Sequence, residues 1–148
     1  MVIDYENLKR KKILQTGGKS KYVWLMYKNI IKKTYRNDKP DQIKRFKTEV
    51  KLLDHLSNCP FVPKILHINQ KNCTIYMTNV GKVLKEVPKD KRDLRQKMKE
   101  LHLDWNLMRH RNGNPNYKMN ANNGTRLNGK VYVIDFGSPH YKIVGPKI

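Results

Sequence analysis

A chain of 148 residues with 38% hydrophobic content can build one domain around a modest core. Its 32 Lys and Arg against 12 Asp and Glu leave a formal charge of +20, a field that favours nucleic acid, an anionic surface or an acidic protein. No apolar run approaches membrane-spanning length and the first residues hold no signal-peptide core, so a spanning protein is excluded and an intracellular setting is expected.

The charge is spread along the chain. Residues 1–50 carry 14 basic and 5 acidic residues, 51–100 carry 11 and 5, and 101–148 carry 7 and 2, so the excess is not a detachable tail. Cys59 and Cys73 have no spacing that suggests zinc, and two thiols without a framework fit a reducing compartment.

Residues 1–12 are polar, end in Lys9-Arg10-Lys11-Lys12, and read as a basic N-terminal arm or the first edge of the domain. Ile13-Leu14, a Gly-containing turn over 15–21, and Tyr22 to Tyr27 follow as strand, turn and strand. A tight Lys28-Asn29 turn leads to a third strand, Ile30 to Tyr35, giving an antiparallel meander. Asp38 and Pro40 look like a helix start, and Ile43, Phe46, Val50 and Leu53 recur at helical spacing over roughly 40–57. Glu49 falls at the edge of that apolar face. A carboxylate there either finds a cation or stays solvated at its tip.

Residues 61–68 and 74–78 read as two more strands around a polar turn, and 80–84 as a connector leaving the sheet. A second helical pattern runs from Asp90 to about Leu103, with Leu94, Met98 and Leu101 on one side. Residues 108–129 are rich in Asn and Gly and read as loop plus a weak hairpin. After the Asn128-Gly129 turn signal, Val131-Tyr132-Val133-Ile134 is a short apolar strand that delivers Asp135, Phe136 and Gly137 at its end. A carboxylate on a rigid strand end can hold a metal ion against a phosphate.

Three strands, a helix, two strands, a connector, a helix, a loop and a strand ending in Asp-Phe-Gly resemble a protein kinase from about Leu14 to Gly137. The resemblance implies an α+β fold: a kinase N-lobe-like unit over 13–84, with a five-stranded antiparallel sheet and one helix, then a truncated C-lobe remnant over 85–148. It implies ATP and Mg as ligands. Gln15 to Val23 occupies the place of the glycine-rich loop, where Gly17 and Gly18 are present and Gln15 and Ser20 stand where further glycines are expected; a plain hairpin is an equal reading. Either Lys32 or Lys33 faces inward as the phosphate-contacting lysine. Lys32 is chosen because two apolar residues precede it, and Glu49 matches its helix partner. Met77 to Val80 resembles the adenine-binding hinge, which places Thr78 and Val80 at the nucleotide, and Asp135 matches the metal ligand.

The catalytic loop departs from the pattern. His110-Arg111-Asn112 puts a neutral amide where the aspartate base belongs, and Tyr117 stands at the second metal ligand with Asn116 beside it. A weaker register offers Asp104 instead. Eleven residues follow Gly137, which leaves no room for a substrate-carrying lobe, so no catalytic residue is expected. Small Lys- and Asn-rich kinase relics of this kind resemble those of large DNA viruses. A catalytically impaired binding or structural component is therefore expected, docked on an acidic protein or larger assembly, in the cell or packaged in a virion. The alternatives are a minimal atypical Ser/Thr kinase and a basic nucleic-acid binder.

Overall fold

The computed structural model describes residues 2–15, 21–101, 103–104, 121–137 and 142–147. Five strands form an antiparallel sheet in the order β1-β2-β3-β5-β4: β1 is Arg10–Gln15, β2 Lys21–Met26, β3 Ile30–Tyr35, β4 Ile65–Asn69 and β5 Thr74–Thr78. The β2–β3 hairpin turns through Tyr27, Lys28 and Asn29 between the paired Met26 and Ile30, with Lys28 and Asn29 in the left-handed region at φ of 71° and 59°.

Helix α1, Pro40–His55, crosses from β3 to β4. Proline in its first turn presets φ and lacks an N–H that would be orphaned there anyway. Asp38 does not cap the helix as expected: the cap position is Lys39, and the Asp38 carboxylate takes Arg36 at 2.8 and 3.1 Å. Gln42, Phe46, Glu49 and Leu53 are buried at spacings of three to four residues, so this stripe lies on the sheet.

The first strand begins earlier than residue 13, because Arg10 to Lys12 already pair with β2. The segment before it is docked and is not a free arm. Ile3, Tyr5 and Leu8 pack on Met26, Ile30 and Tyr76, and the Tyr5 ring stacks on His67 at 5.0 Å. The fourth strand is shorter than expected, starting at Ile65, since Pro63 offers no donor to a ladder.

The rest of the chain covers the other side of the core. β6 (Lys82–Val83), β8 (Gly124–Leu127) and β9 (Lys130–Val133) form a small sheet, so the expected connector is itself a strand. The turn between β8 and β9 is Asn128-Gly129, with φ of 52° and 79°. Helix α2, Pro88–Lys99, buries Leu94 and Met98 beside this sheet; it starts and stops before the expected bounds. A two-stranded pair joins β7 (Leu103–Asp104) to β10 (Lys142–Ile143). One core cluster runs through all of it, from Tyr35 and Phe46 to Leu94, Val133 and Phe136. Among the described residues no helix is long and apolar enough to cross a membrane.

Candidate functional site: a charged cluster in the inter-sheet cleft

Strand alternation sends successive side chains of β3 to opposite faces. Ile31, Lys33 and Tyr35 face α1 and the main core, whereas Ile30 and Lys32 face the docked N-terminal segment. Lys32 is therefore not the inward lysine. Its ammonium lies 5.5 Å from the Trp24 ring centre and 5.7 Å from that of Tyr76, on the far side of the sheet. Lys33 takes the role: its Nζ is 2.7 and 2.9 Å from the two carboxylate oxygens of Glu49.

Glu49 is 1% exposed and fully partnered. Besides Lys33, its Oε1 accepts from the Tyr35 hydroxyl at 2.7 Å and its Oε2 from the Phe136 backbone N–H at 2.9 Å. A single side chain of α1 thus ties together β3 and the segment after β9. Burial and the charge of Glu49 push the Tyr35 hydroxyl far above its ordinary value, so it remains a donor. Gly137 completes the joint by close approach: a Cβ there would sit 2.2 Å from the Tyr35 hydroxyl.

Asp135 follows the end of β9 in the left-handed region, φ 72°, which aspartate tolerates better than most residues. Its carboxylate accepts from Lys33 at 3.1 Å and from Lys21, the first residue of β2, through a short ion pair. Burial by itself would raise the Asp135 carboxyl, but Lys33 and Lys21 outweigh it and hold the group well below the carboxylate range. Burial likewise works to lower Lys33, yet Asp135 and Glu49 raise it well above the ordinary lysine value. Lys21 goes the other way, lowered by burial and by the neighbouring Lys33 ammonium.

This cluster forms one end of a cleft of about 410 Å³ between the two sheets. Leu14, Val23 and Ile31 supply an apolar wall from the large sheet, Met77 and Thr78 the back, and Thr125 and Ile134 the opposite side. Thr78 and Val80, expected at the nucleotide, both line this cleft. Two of their groups are already engaged: the Thr78 hydroxyl accepts from the Lys64 N–H at 2.9 Å, and the Val80 carbonyl from the Thr125 hydroxyl at 2.6 Å. Gly17, Gly18, His110, Arg111, Asn112 and Tyr117 lie outside the described residues, as does the side chain of Asp104, whose backbone pairs with Lys142.

The magnesium expected at Asp135 would share that carboxylate with two lysines. Among the described residues no group of three or more His, Cys, Asp or Glu converges, and one oxygen of Asp135 already carries two ammonium groups. The two ammoniums balance the two carboxylates of Glu49 and Asp135, so the cluster keeps no surplus negative charge for a dication.

Sequence reasoning missed Lys21 altogether and placed the inward lysine one residue early. Ile31 and Tyr35, two positions to either side of Lys33, were the available sign of its face. No protein-family model matches this chain, and no curated protein does.

Proposed function

We propose that the chain is a kinase-like nucleotide-binding protein with impaired phosphotransfer, acting as a basic binding or structural component. The observation that carries the reading is Lys33, held between Glu49 of α1 and Asp135 beyond β9, in the wall of a cleft lined elsewhere by apolar and uncharged polar side chains. A slot with apolar side chains along its length and convergent charged groups at one end suits a planar base and phosphates in turn. The Asp-Phe-Gly strand end and the resemblance in element order support it further. Asn112 at the place of the base argues against transfer, since loss of a general base costs about a hundred- to ten-thousand-fold. The +20 charge would serve docking on a polyanion or an acidic partner.

The test is a thermal-shift titration of the chain with ATP, with and without magnesium, beside a γ-phosphate labelling assay. A ligand that binds only the folded state raises its melting temperature. The reading expects a saturable rise, its loss in Lys33→Met, and no labelling of general protein substrates. Absence of any shift in either condition overturns it.

A second reading, a minimal kinase, is favoured by one observation: Lys33, Glu49 and Asp135 stand together. Robust labelling that vanishes in Asp135→Ala would promote it.

A further inference from the structure

The charged end of the cleft holds two lysines where the kinase resemblance implies one lysine and a metal ion. Lys33 comes from the centre of β3 and Lys21 from the start of β2, and they converge on the same oxygen of Asp135. Both are largely withdrawn from solvent, with side chains 7% and 13% exposed. An ammonium carries three N–H donors. Lys33 directs its donors at the two oxygens of Glu49 and at Asp135. Among the described residues the hydrogen bonds of Lys21 use one donor, on Asp135, and the ammonium lies 5.8 Å from the Tyr35 ring centre while lining the cleft, so it can also donate to whatever enters it.

The charges of Lys21, Lys33, Glu49 and Asp135 sum to zero, leaving no uncompensated carboxylate for an arriving dication. The surrounding field is strongly positive at +20 and favours an anion over a cation. Lys21 sits on the Asp135 carboxylate, where the resemblance expects a metal ion, and it supplies the same sign of charge from a covalently attached group.

We propose that Lys21 takes the place of the divalent cation, so that the cleft holds the polyphosphate of a nucleoside di- or triphosphate without metal. The inference rests on the nucleotide-cleft reading above and deepens it. Lys21 is here a binding residue: it donates to a phosphate oxygen while keeping its contact with Asp135. Lys33 stays tied to Glu49 and keeps β3 and α1 in register around the site.

The experiment is calorimetric titration of the full chain with ATP, once in EDTA and once in excess magnesium, for the native protein, Lys21→Met and Lys21→Arg. The native protein is expected to bind in EDTA with an affinity within about threefold of that in magnesium, a difference under 1 kcal/mol. Lys21→Met should lose about tenfold or more in EDTA, as loss of a charge-assisted contact implies, and magnesium should restore part of it because Asp135 then carries only the Lys33 ammonium. Lys21→Arg, which keeps the cation, should bind without metal. Native protein that binds only with magnesium overturns the inference and leaves the nucleotide reading standing. Folded native protein that binds in neither buffer overturns both. Lys21→Met weakened equally in the two buffers, or not at all, also overturns it. Should Lys21→Met not fold, the native comparison and Lys21→Arg decide.

Discussion

Two adjacent lysines of β3 have opposite fates, and the difference is measurable. Lys33 is buried between Glu49 and Asp135, whereas Lys32 lies over aromatic rings on the other face. Lys33→Met would leave two carboxylates without their shared cation. Breaking a buried pair from one side costs about 3–5 kcal/mol, and the urea midpoint should fall accordingly. Lys32→Met removes only ring contacts, with an expected change of about 0.5–1 kcal/mol. Equal effects of the two variants would mean that the face assignment is wrong. Acid behaviour belongs to the same cluster. Asp135 is held below its ordinary value of 3.8, so the unfolded chain binds its proton more readily than the folded one. Its stabilisation is therefore complete above that value and is lost as pH falls below it. Stability of the native protein should decline through this window, and Asp135→Asn should flatten the decline; an unchanged acid limb would show that Asp135 is not the group responsible.

At the scale of elements, the contact between β3, α1 and the segment after β9 is closed by three groups. Glu49 binds the Phe136 N–H, the Tyr35 hydroxyl binds Glu49, and Gly137 lies against that hydroxyl. Phe136 itself is fully buried and anchors the segment in the core. Gly137→Ala would force the Tyr35 ring away from Glu49 or displace the chain. Overpacking of this kind costs about 1–3 kcal/mol, readable as a lower melting temperature. Tyr35→Phe in the Gly137→Ala background should recover part of the loss, because the hydroxyl that clashes is gone. No recovery would place the strain elsewhere.

For the whole molecule the dominant quantity is charge. The +20 is what remains after all 12 carboxylates are counted, Asp90 and Asp93 on Arg126 at 3.0 Å among them, so most of the basic side chains have no acidic counterpart. Self-repulsion at this net charge disfavours the compact state, and salt screens it over a Debye length of about 10 Å at 0.1 M. Melting temperature should therefore rise with sodium chloride from about 0.02 to 0.3 M. A fall over that range would mean that the attractive pairs outweigh the repulsion. Binding to any polyanion should weaken steeply over the same range, through re-uptake of counterions.

Local chemistry was enough to place the turn around Lys28-Asn29 and to read the two-residue turn at Asn128-Gly129, because a primed turn needs positive φ at both positions and Asn and Gly adopt it readily. Helix α1 was legible from its apolar period, Glu49 stood out as a carboxylate on that face, and the strand end bearing Asp135 was plain from its β-branched run. Which lysine faces the cleft was not legible. With a side-chain period of two, a one-residue shift reverses every side chain, and the parity of β3 is set by pairing with β2 and β5 rather than by β3 itself. The docked N-terminal segment was equally hidden, since Ile3, Tyr5 and Leu8 gain their apolar partners only once β2, β3 and β5 are side by side. Lys21 meets Asp135 across 114 residues of sequence, Lys33 meets it across 102, and Phe136 meets Glu49 across 87. No local pattern encodes such meetings: the sequence determined the elements and their charged candidates, and the packing of one sheet on the other decided which of them share a site.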